Sequence, residues 1–183
     1  MASPMASPMS DPMHRLPTIV AGYDGSPAAA RAVRFAAEEA ARRDSVLRIL
    51  HVRESIKADA GVRWETVVGI ARGYLDGHRV AVFDHTGWPA TQLLVEGDRA
   101  DLLVLGRGGP YRLGEAVGSV AQAVITSAHC PVVVVAGSDR SAADPDAARA
   151  GVVAGIKHLD VAESILSAAF AEAELRGCDL LVV

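Results

Sequence analysis

Residues 18–27 are TIVAGYDGSP, a run of apolar and β-branched residues that ends in an Asp-Gly turn. A run of this kind, without polar alternation, predicts a strand that is buried on both faces. Ser26 is a favoured N-cap residue and Pro27 suits the first helical turn, so a helix is expected to begin at once. That helix runs to about Arg43 and carries an apolar stripe made of Ala29, Val33, Ala36 and Ala40.

The same alternation of short apolar runs and helical stretches continues through residue 135. Further strands are predicted at 46–52, 79–83, 101–105 and 131–135. Helices are predicted at about 56–76, 89–97 and 119–128. Strands that alternate with helices form parallel sheets, because each crossover returns the chain to the same edge. We therefore expect an α/β fold, an open parallel five-stranded sheet with helices on both faces.

The composition limits the classes of function. Half of the 183 residues are hydrophobic, which excludes a wholly disordered chain, and two cysteines exclude a disulfide-rich scaffold. With 18 basic and 22 acidic residues the net charge is −4, so nucleic-acid binding is not expected. No apolar run is long enough to span a membrane, and the first 15 residues lack the pattern of a signal peptide. We expect a cytoplasmic protein without membrane contact and with a disordered leader at 1–15.

The end of the chain repeats its beginning. Moving the sequence by 133 positions, without a gap, lays residues 19–50 on 152–183, and nine of the 32 aligned residues are identical. The intervening stretch 138–150 is rich in Ser, Asp, Ala and Pro, which is typical of a linker. We therefore predict one complete domain at 16–137, a linker at 138–150 and a second, truncated βαβ unit at 151–183.

Two loops have the composition of an anion-binding site. In an open α/β sheet, ligands bind beyond the carboxyl ends of the strands, where the winding direction reverses. The loop after the first strand spans Gly22–Ser26, and the glycine-rich loop after the fourth spans Gly106–Ser119. Glycines allow backbone N–H groups to face an anion, Arg107 and Arg112 add positive charge, and Ser119 opens a helix whose N-terminus attracts phosphate. If the fourth strand lies beside the first, both loops border one crevice.

Three better-known motifs are incomplete. Residues 109–114 have the Walker spacing, but Glu115 and Ala116 follow where Lys and Ser or Thr are required. No G-x-G-x-x-G follows the first strand, so the dinucleotide fingerprint is missing. The segment HTGW at 85–88 lacks the second histidine of the HxGH motif of nucleotidylyltransferases. Neither a catalytic triad nor a set of zinc ligands is legible, so we expect binding rather than catalysis.

Two other groups of side chains have structural interpretations. Trp64 and Trp88 are expected to be packing anchors. Glu38 and Glu39, with Arg42 and Arg43 one turn later, are expected to form a solvated helix face with i,i+4 pairs.

Three segments together resemble the universal stress protein family. They are VAGYDGS at 20–26, GRGG at 106–109 with Gly118-Ser119 before a helix, and PVVVV at 131–135. The resemblance covers about residues 17–137 and, more weakly, 151–183, and it implies an adenine-nucleotide α-hydrolase-like fold. The ATP-binding branch of the family has the motif G-x2-G-x9-G-[ST]. Here Gly106 and Gly109 fit that motif, whereas Gly118 follows after eight residues instead of nine.

By this resemblance, ATP with Mg²⁺ is the expected ligand. Asp24 would contact the adenosine, His51 or Val52 would border the adenine, and the second loop would hold the phosphates and ribose. The expected cofactor-binding residues are Gly22, Asp24, Ser26, His51, Val52, Gly106, Arg107, Gly109, Arg112, Gly118, Ser119 and Val120. In the second copy Lys157, His158 and Leu159 stand in place of Asp24–Ser26, so no second site is expected there.

The resemblance leads to two alternative functions. The first is an ATP-binding regulatory or sensor module in a stress response, with no catalytic residues and at most slow ATP hydrolysis. The alternative is an interaction subunit of the same fold that binds no nucleotide because its glycine loop is shorter. In both, the resemblance implies a homodimer or pseudo-dimer formed through the strand Pro131–Val135, and an apolar strand at a sheet edge favours such pairing.

Overall fold

The computed structural model describes residues 16–54, 62–107, 117–136 and 151–183. The predicted leader at 1–15 and the predicted linker at 138–150 lie outside these ranges. The chain divides into two compact units, residues 1–136 and 137–183, and each is described by itself.

In the first unit, strands and helices alternate along the chain. The strands are β1 (Thr18–Gly22), β2 (Val46–Arg53), β3 (Val80–Thr86), β4 (Leu102–Gly106) and β5 (Val132–Val135), and the helices are α1 (Pro27–Arg42), α2 (Trp64–Arg72), α3 (Pro89–Gly97) and α4 (Ser119–Ser127).

The five strands form one parallel sheet in the order β3-β2-β1-β4-β5. The central strands β1 and β4 are buried over the first four of their five residues, which agrees with their predominantly apolar sequences. Buried side chains of α1 and α2 pack on one face of the sheet, and those of α3 and α4 pack on the other. The structure confirms the predicted fold class, an open parallel five-stranded sheet with helices on both faces.

Helix α1 buries a carboxylate that the sequence pattern assigned to a solvated face. Glu39 is fully buried, and its carboxylate accepts hydrogen bonds from Arg42 Nη1 at 2.9 Å and from Arg43 Nε at 3.1 Å. The prediction of a solvated face was therefore wrong for Glu39, although the i,i+4 pair with Arg43 is present. Position 39 follows the buried Ala36 by one turn, so it lies at the margin of the apolar stripe. The two arginines compensate the charge that this position buries.

The two tryptophans have different environments. Trp64 packs against the core between the sheet and α1–α2, and its ring centroid lies 6.5 Å from that of Tyr23. Trp88, in contrast, is 76% exposed. The prediction of a packing anchor was therefore wrong for Trp88.

Strand β3 is longer than predicted. It was expected to end at Phe83, but it continues to Thr86 because β2 also continues, and Arg53 pairs in register with Thr86. This extension brings Asp84 into the sheet, directly beside His51.

The second unit contains a βαβ segment made of β6 (Val152–Ala154), α5 (Ala162–Arg176) and β7 (Leu180–Val182). Its parallel register repeats that of the first unit, since Val152 pairs with Leu180 as Ile19 pairs with Leu47, 133 positions earlier. The sequence repeat is therefore also a repeat of strand pairing.

Finer details recur at the same spacing. The helix-to-strand turn is closed by a hydrogen bond from Cys178 N to Ala173 O at 3.1 Å, which corresponds to the bond from Ser45 N to Ala40 O at 2.9 Å in the first unit. The pair Arg176–Glu172, at 3.1 Å, likewise corresponds to Arg43–Glu39 at 3.0 Å. The shared ion pair accounts for two of the identical positions in the two copies, the glutamate and the arginine.

Candidate functional site

The carboxyl ends of β1 and β4 lie side by side. The two strands pair in parallel, with Ala21 opposite Val104, and the chain crosses to β2 on one side of β1 and to β4 on the other. This is the point at which the winding direction of the sheet reverses, where α/β folds bind their ligands. The two loops singled out from the sequence therefore leave the sheet next to each other.

The loop after β1 is a tight turn that leads into α1. Asp24 Oδ1 accepts a hydrogen bond from Ser26 N at 2.9 Å, and Gly25 has a φ of 83°, a conformation that favours glycine. Ser26 Oγ then accepts from Ala29 N at 3.1 Å and caps α1. Asp24 itself is exposed, so its carboxylate lies at the surface of the loop.

Gly22 and Gly106 both lie in close contact with their neighbours, and for Gly106 those neighbours are backbone atoms. A Cβ at Gly106 would lie 2.6 Å from Ala28 C and 2.9 Å from Ala29 N, both backbone atoms at the start of α1. A Cβ at Gly22 would lie 2.7 Å from Leu105 Cδ2 on β4. A side chain at Gly106 would therefore push β4 away from the start of α1, whereas one at Gly22 would require the side chain of Leu105 to move.

The second loop is closed at its base. Arg107 N donates to Val135 O at 3.0 Å, and Gly118 N donates to Arg107 O at 3.1 Å, so both ends of the loop are fixed against β5 and each other. The predicted binding residues Gly109 and Arg112 lie outside the described residues. Arg107 is half-buried at the end of β4.

Helix α4 begins at this closure without a capping side chain. Its N-cap is Gly118, which has no side chain to offer, and Ser119 is the first residue of the helix rather than its cap. Ser119 is exposed, whereas Val120 is half-buried against the core beneath α3 and α4. The first N–H groups of a helix carry a partial positive charge, so this terminus suits an anion.

At the end of β2, His51 and Val52 lie on opposite faces of the sheet. His51 is only 6% exposed, and its ring meets that of Trp64 edge to face at a centroid distance of 5.8 Å. Val52 is half-buried on the other face, where it packs against the core of Leu50 and its neighbours. The structure thus brings both residues to the carboxyl edge but places their side chains on different sides.

Asp84 is a residue of this edge that the sequence analysis missed. His51 Nδ1 lies 3.1 Å from Asp84 Oδ1, and Arg53 Nη2 lies 2.9 Å from Asp84 Oδ2. Partial burial by itself would raise the pKa of Asp84, but the hydrogen bond with His51 and the charge of Arg53 outweigh it and lower the pKa below its usual value. Residues 80–83 form an apolar run that ends before Asp84, so the sequence of β3 gives no local signal for this residue, and only its pairing with His51 on β2 places it in the strand.

The described residues contain neither a cluster of metal ligands nor a membrane-spanning helix. Within residues 16–54, 62–107, 117–136 and 151–183, no group of three or more His, Cys, Asp or Glu side chains could hold a metal ion. In those same ranges, no helix combines the length and the apolar character needed to cross a membrane.

Comparison with known proteins gives a consistent result. The model of the universal stress protein family matches residues 16–63 and 65–136. A universal stress protein of Mycobacterium tuberculosis (strain H37Rv) is 34% identical over an alignment of 188 positions, which covers 93% of this chain and 65% of that protein. A universal stress protein of Mycolicibacterium smegmatis is 31% identical over an alignment of 186 positions, which covers 90% of this chain and 62% of that protein. The chain thus spans a little under two thirds of the length of these curated relatives.

Solved structures share the fold of the first unit. A universal stress protein in complex with cAMP is 27% identical, with a TM-score of 0.55, over 66% of this chain and 97% of that chain. A universal stress protein from Archaeoglobus fulgidus in complex with dAMP is 26% identical, with a TM-score of 0.51, over 67% of this chain and 98% of that chain. Because the family model extends from the start of β1 to the end of β5, the chain belongs to the universal stress protein family.

Proposed function

We propose that the protein binds ATP together with Mg²⁺ and acts as a regulatory or sensor module in a stress response. The observation that carries the proposal is the position of the uncapped start of α4 beside the acidic turn after β1, at the switch point of the sheet. The two solved relatives in complex with cAMP and dAMP support an adenine nucleotide as the ligand.

The phosphates are assigned to the loop after β4 and the first turn of α4. Gly118 lets an anion approach the N–H groups of Ser119 and Val120 without a side chain in between. The exposed hydroxyl of Ser119 can donate a hydrogen bond, and Arg107 adds positive charge. Gly106, Gly109 and Arg112 complete this half of the proposed site.

The adenosine is assigned to the β1 and β2 side of the edge. Asp24 uses one oxygen for the turn with Ser26, and an ionised carboxylate accepts several further hydrogen bonds, for which ribose and adenine offer donors. Gly22 and Ser26 shape this loop. Val52 and His51 end β2 at the same edge, so their backbone and exposed atoms can border the adenine.

Mg²⁺ is proposed to arrive with the nucleotide. This cation usually keeps several waters and is held largely through substrate phosphates, so we place it with the phosphates and assign Asp24 to the adenosine. We infer binding rather than catalysis, with hydrolysis at most slow, since positioning a nucleotide alone accelerates its hydrolysis only modestly.

Calorimetric titration of the protein with ATP, ADP and AMP, with and without Mg²⁺, tests the proposal. Saturable binding below millimolar ATP is expected, and its absence would overturn the assignment. Two variants separate the roles of Asp24. Asp24→Asn keeps an oxygen for the turn but removes the charge, whereas Asp24→Ala loses both, so weaker ATP binding by Asp24→Asn assigns a ligand contact to the carboxylate. Equal affinity of wild type and Asp24→Asn would exclude that contact.

The alternative function, an interaction subunit that binds no nucleotide, would act through the edge strand β5, which serves both functions equally. Strand β5 pairs with β4 on one side, and all four of its valines are half-buried. Val133 and Val135 pack against one core and Val132 against the other, whereas Val134 is half-buried at the edge. We propose that this strand, Pro131–Val135, forms the contact of a homodimer or pseudo-dimer, whether or not nucleotide is bound.

For the rest of the chain we keep the predicted organisation as a proposal, with a nucleotide-binding domain at 16–137 and a second family-like βαβ unit at 151–183. The second unit has Lys157 and His158 where the first has Asp24 and Gly25, so we propose no ligand site there. Cys130 and Cys178 are both free thiols, which is usual in a reducing compartment and supports a cytoplasmic location.

A further inference from the structure

Trp88 is the most exposed of the large hydrophobic side chains in the described residues, at 76%. An aromatic ring of this size contributes most to stability when it is buried, so the fold itself does not account for an indole at this position. Its exposure contrasts with that of Trp64, which packs against the core.

The backbone that carries the indole is fixed on both sides. Gly87 N donates to Arg53 O at 2.8 Å, which ties the chain after β3 to the end of β2. Trp88 is the N-cap residue of α3, and its carbonyl accepts from Gln92 N at 3.1 Å. Pro89, the first residue of the helix, further restricts the conformation of Trp88. The side chain is therefore presented to solvent from a defined position.

That position lies on the same edge of the sheet as the proposed nucleotide site. Val52 pairs with His85 and Arg53 with Thr86, so Trp88 follows two residues beyond the last pair of β2 and β3. The end of β2 is flanked by Trp88 on one side and by the turn at Asp24 on the other, since β1 is the next strand. The phosphate half of the site, at the end of β4, is three strand spacings from β3, which is about 14 Å. An extended nucleoside triphosphate is comparable in length.

We propose that Trp88 forms an aromatic wall against which the base of the bound nucleotide stacks, an inference that rests on the proposed function. With its phosphates at the start of α4, the nucleotide places its base near the end of β2, next to the indole. Every nucleobase has a π-face, so stacking adds affinity for the base without distinguishing adenine from guanine. Choice of the base is left to polar groups such as Asp24 and the backbone at Val52.

Calorimetry with ATP and with inorganic tripolyphosphate, both in the presence of Mg²⁺, tests the proposal. Trp88→Ala should weaken ATP binding by about 5- to 150-fold, the equivalent of ~1–3 kcal/mol for one stacked base, and should leave tripolyphosphate binding unchanged. Trp88→Phe should retain most of the affinity. Val95→Ala, which removes another exposed apolar side chain of α3, is the matched control and should bind as wild type does.

Fluorescence gives a second, independent measurement, because the chain has only two tryptophans. In Trp64→Phe, where Trp88 is the sole tryptophan, ATP should change the tryptophan emission with the midpoint that calorimetry gives. The proposal is overturned if wild type binds ATP and Trp88→Ala binds it equally well. It is also overturned if Trp88→Ala weakens the binding of tripolyphosphate as much as the binding of ATP. If wild type binds no nucleotide at all, the proposed function fails at the first titration and the aromatic wall fails with it. The two failures are therefore distinguishable.

Discussion

Replacing Gly106 with alanine should destabilise the first unit because β4 and the start of α1 are in contact at this residue. The new Cβ would lie 2.6 Å from Ala28 C, 2.7 Å from Ala28 O and 2.9 Å from Ala29 N. Carbon atoms in contact are normally ~3.5–4.0 Å apart, so α1 would have to move by roughly 1 Å. All three neighbours belong to the backbone of a packed helix, which cannot rotate away as a side chain can. Overpacking of this kind costs about 1–3 kcal/mol.

Gly69→Ala is a matched control. Gly69 lies within α2, is exposed, and would meet no atom within 4 Å of an added Cβ. Alanine there should stabilise the protein by roughly 0.5–1 kcal/mol, because glycine is the poorer helix former.

Urea unfolding followed by tryptophan fluorescence is a suitable assay, since both tryptophans, Trp64 and Trp88, belong to the first unit. The midpoint should fall for Gly106→Ala and rise for Gly69→Ala, with the slope against urea unchanged. If Gly106→Ala is as stable as wild type, or if both variants lose stability equally, the argument from close backbone approach is refuted.

Three further predictions concern a helix cap, the ion pair of Asp84 and the sheet edge. Ser26→Ala should lower the unfolding free energy in urea by about 1 kcal/mol because it removes the cap of α1. Ser119→Ala, at the first residue of α4, should lower it by less than about 0.5 kcal/mol, and equal losses would contradict the capping assignment. The folded state lowers the pKa of Asp84, so the contribution of this carboxylate to stability is present above its usual pKa of 3.8 and is lost as the pH falls through the folded pKa. The difference in unfolding free energy between wild type and Asp84→Asn should therefore vanish in acid, and a difference that persists there would argue against the charged pair. Val134→Lys on β5 should weaken self-association at least tenfold in sedimentation equilibrium, whereas Val82→Lys on the opposite edge strand, β3, should leave it unchanged. Equal effects of the two variants would argue against the β5 interface.

The sequence predicted the order and type of the elements because their signals are local. The strand at 18–22 is buried on both faces and is apolar after Thr18, and Ser26-Pro27 marks the helix start by capping chemistry. The predicted α3 at 89–97 has the observed bounds, since Pro89 fixes its first turn. The adjacency of β1 and β4 was only a condition for the predicted crevice, and the structure supplies it.

The features that the sequence did not predict depend on tertiary contacts. Glu39 lies one turn from Ala36, and only the packing of α1 shows that this margin of the helix is buried. Asp84 belongs to β3 because β2 continues beside it to Arg53, and the pattern of β3 alone gives a shorter strand. Gly106 was interpreted as a flexible phosphate-loop glycine, and the structure adds a second reason for it, the contact with Ala28 and Ala29.

The most direct test of the nucleotide site is the titration of the ¹⁵N-labelled protein with Mg·ATP, followed by amide chemical shifts. The proposed function predicts saturable shifts of the amides of Asp24–Ser26 and of Ser119–Ala121, the first turn of α4. Residues 157–159, which occupy the place of Asp24–Ser26 in the second copy, should not respond. Shifts confined to the second unit, or no saturable shift at either loop of the first, would contradict the assignment of the nucleotide to the carboxyl ends of β1 and β4.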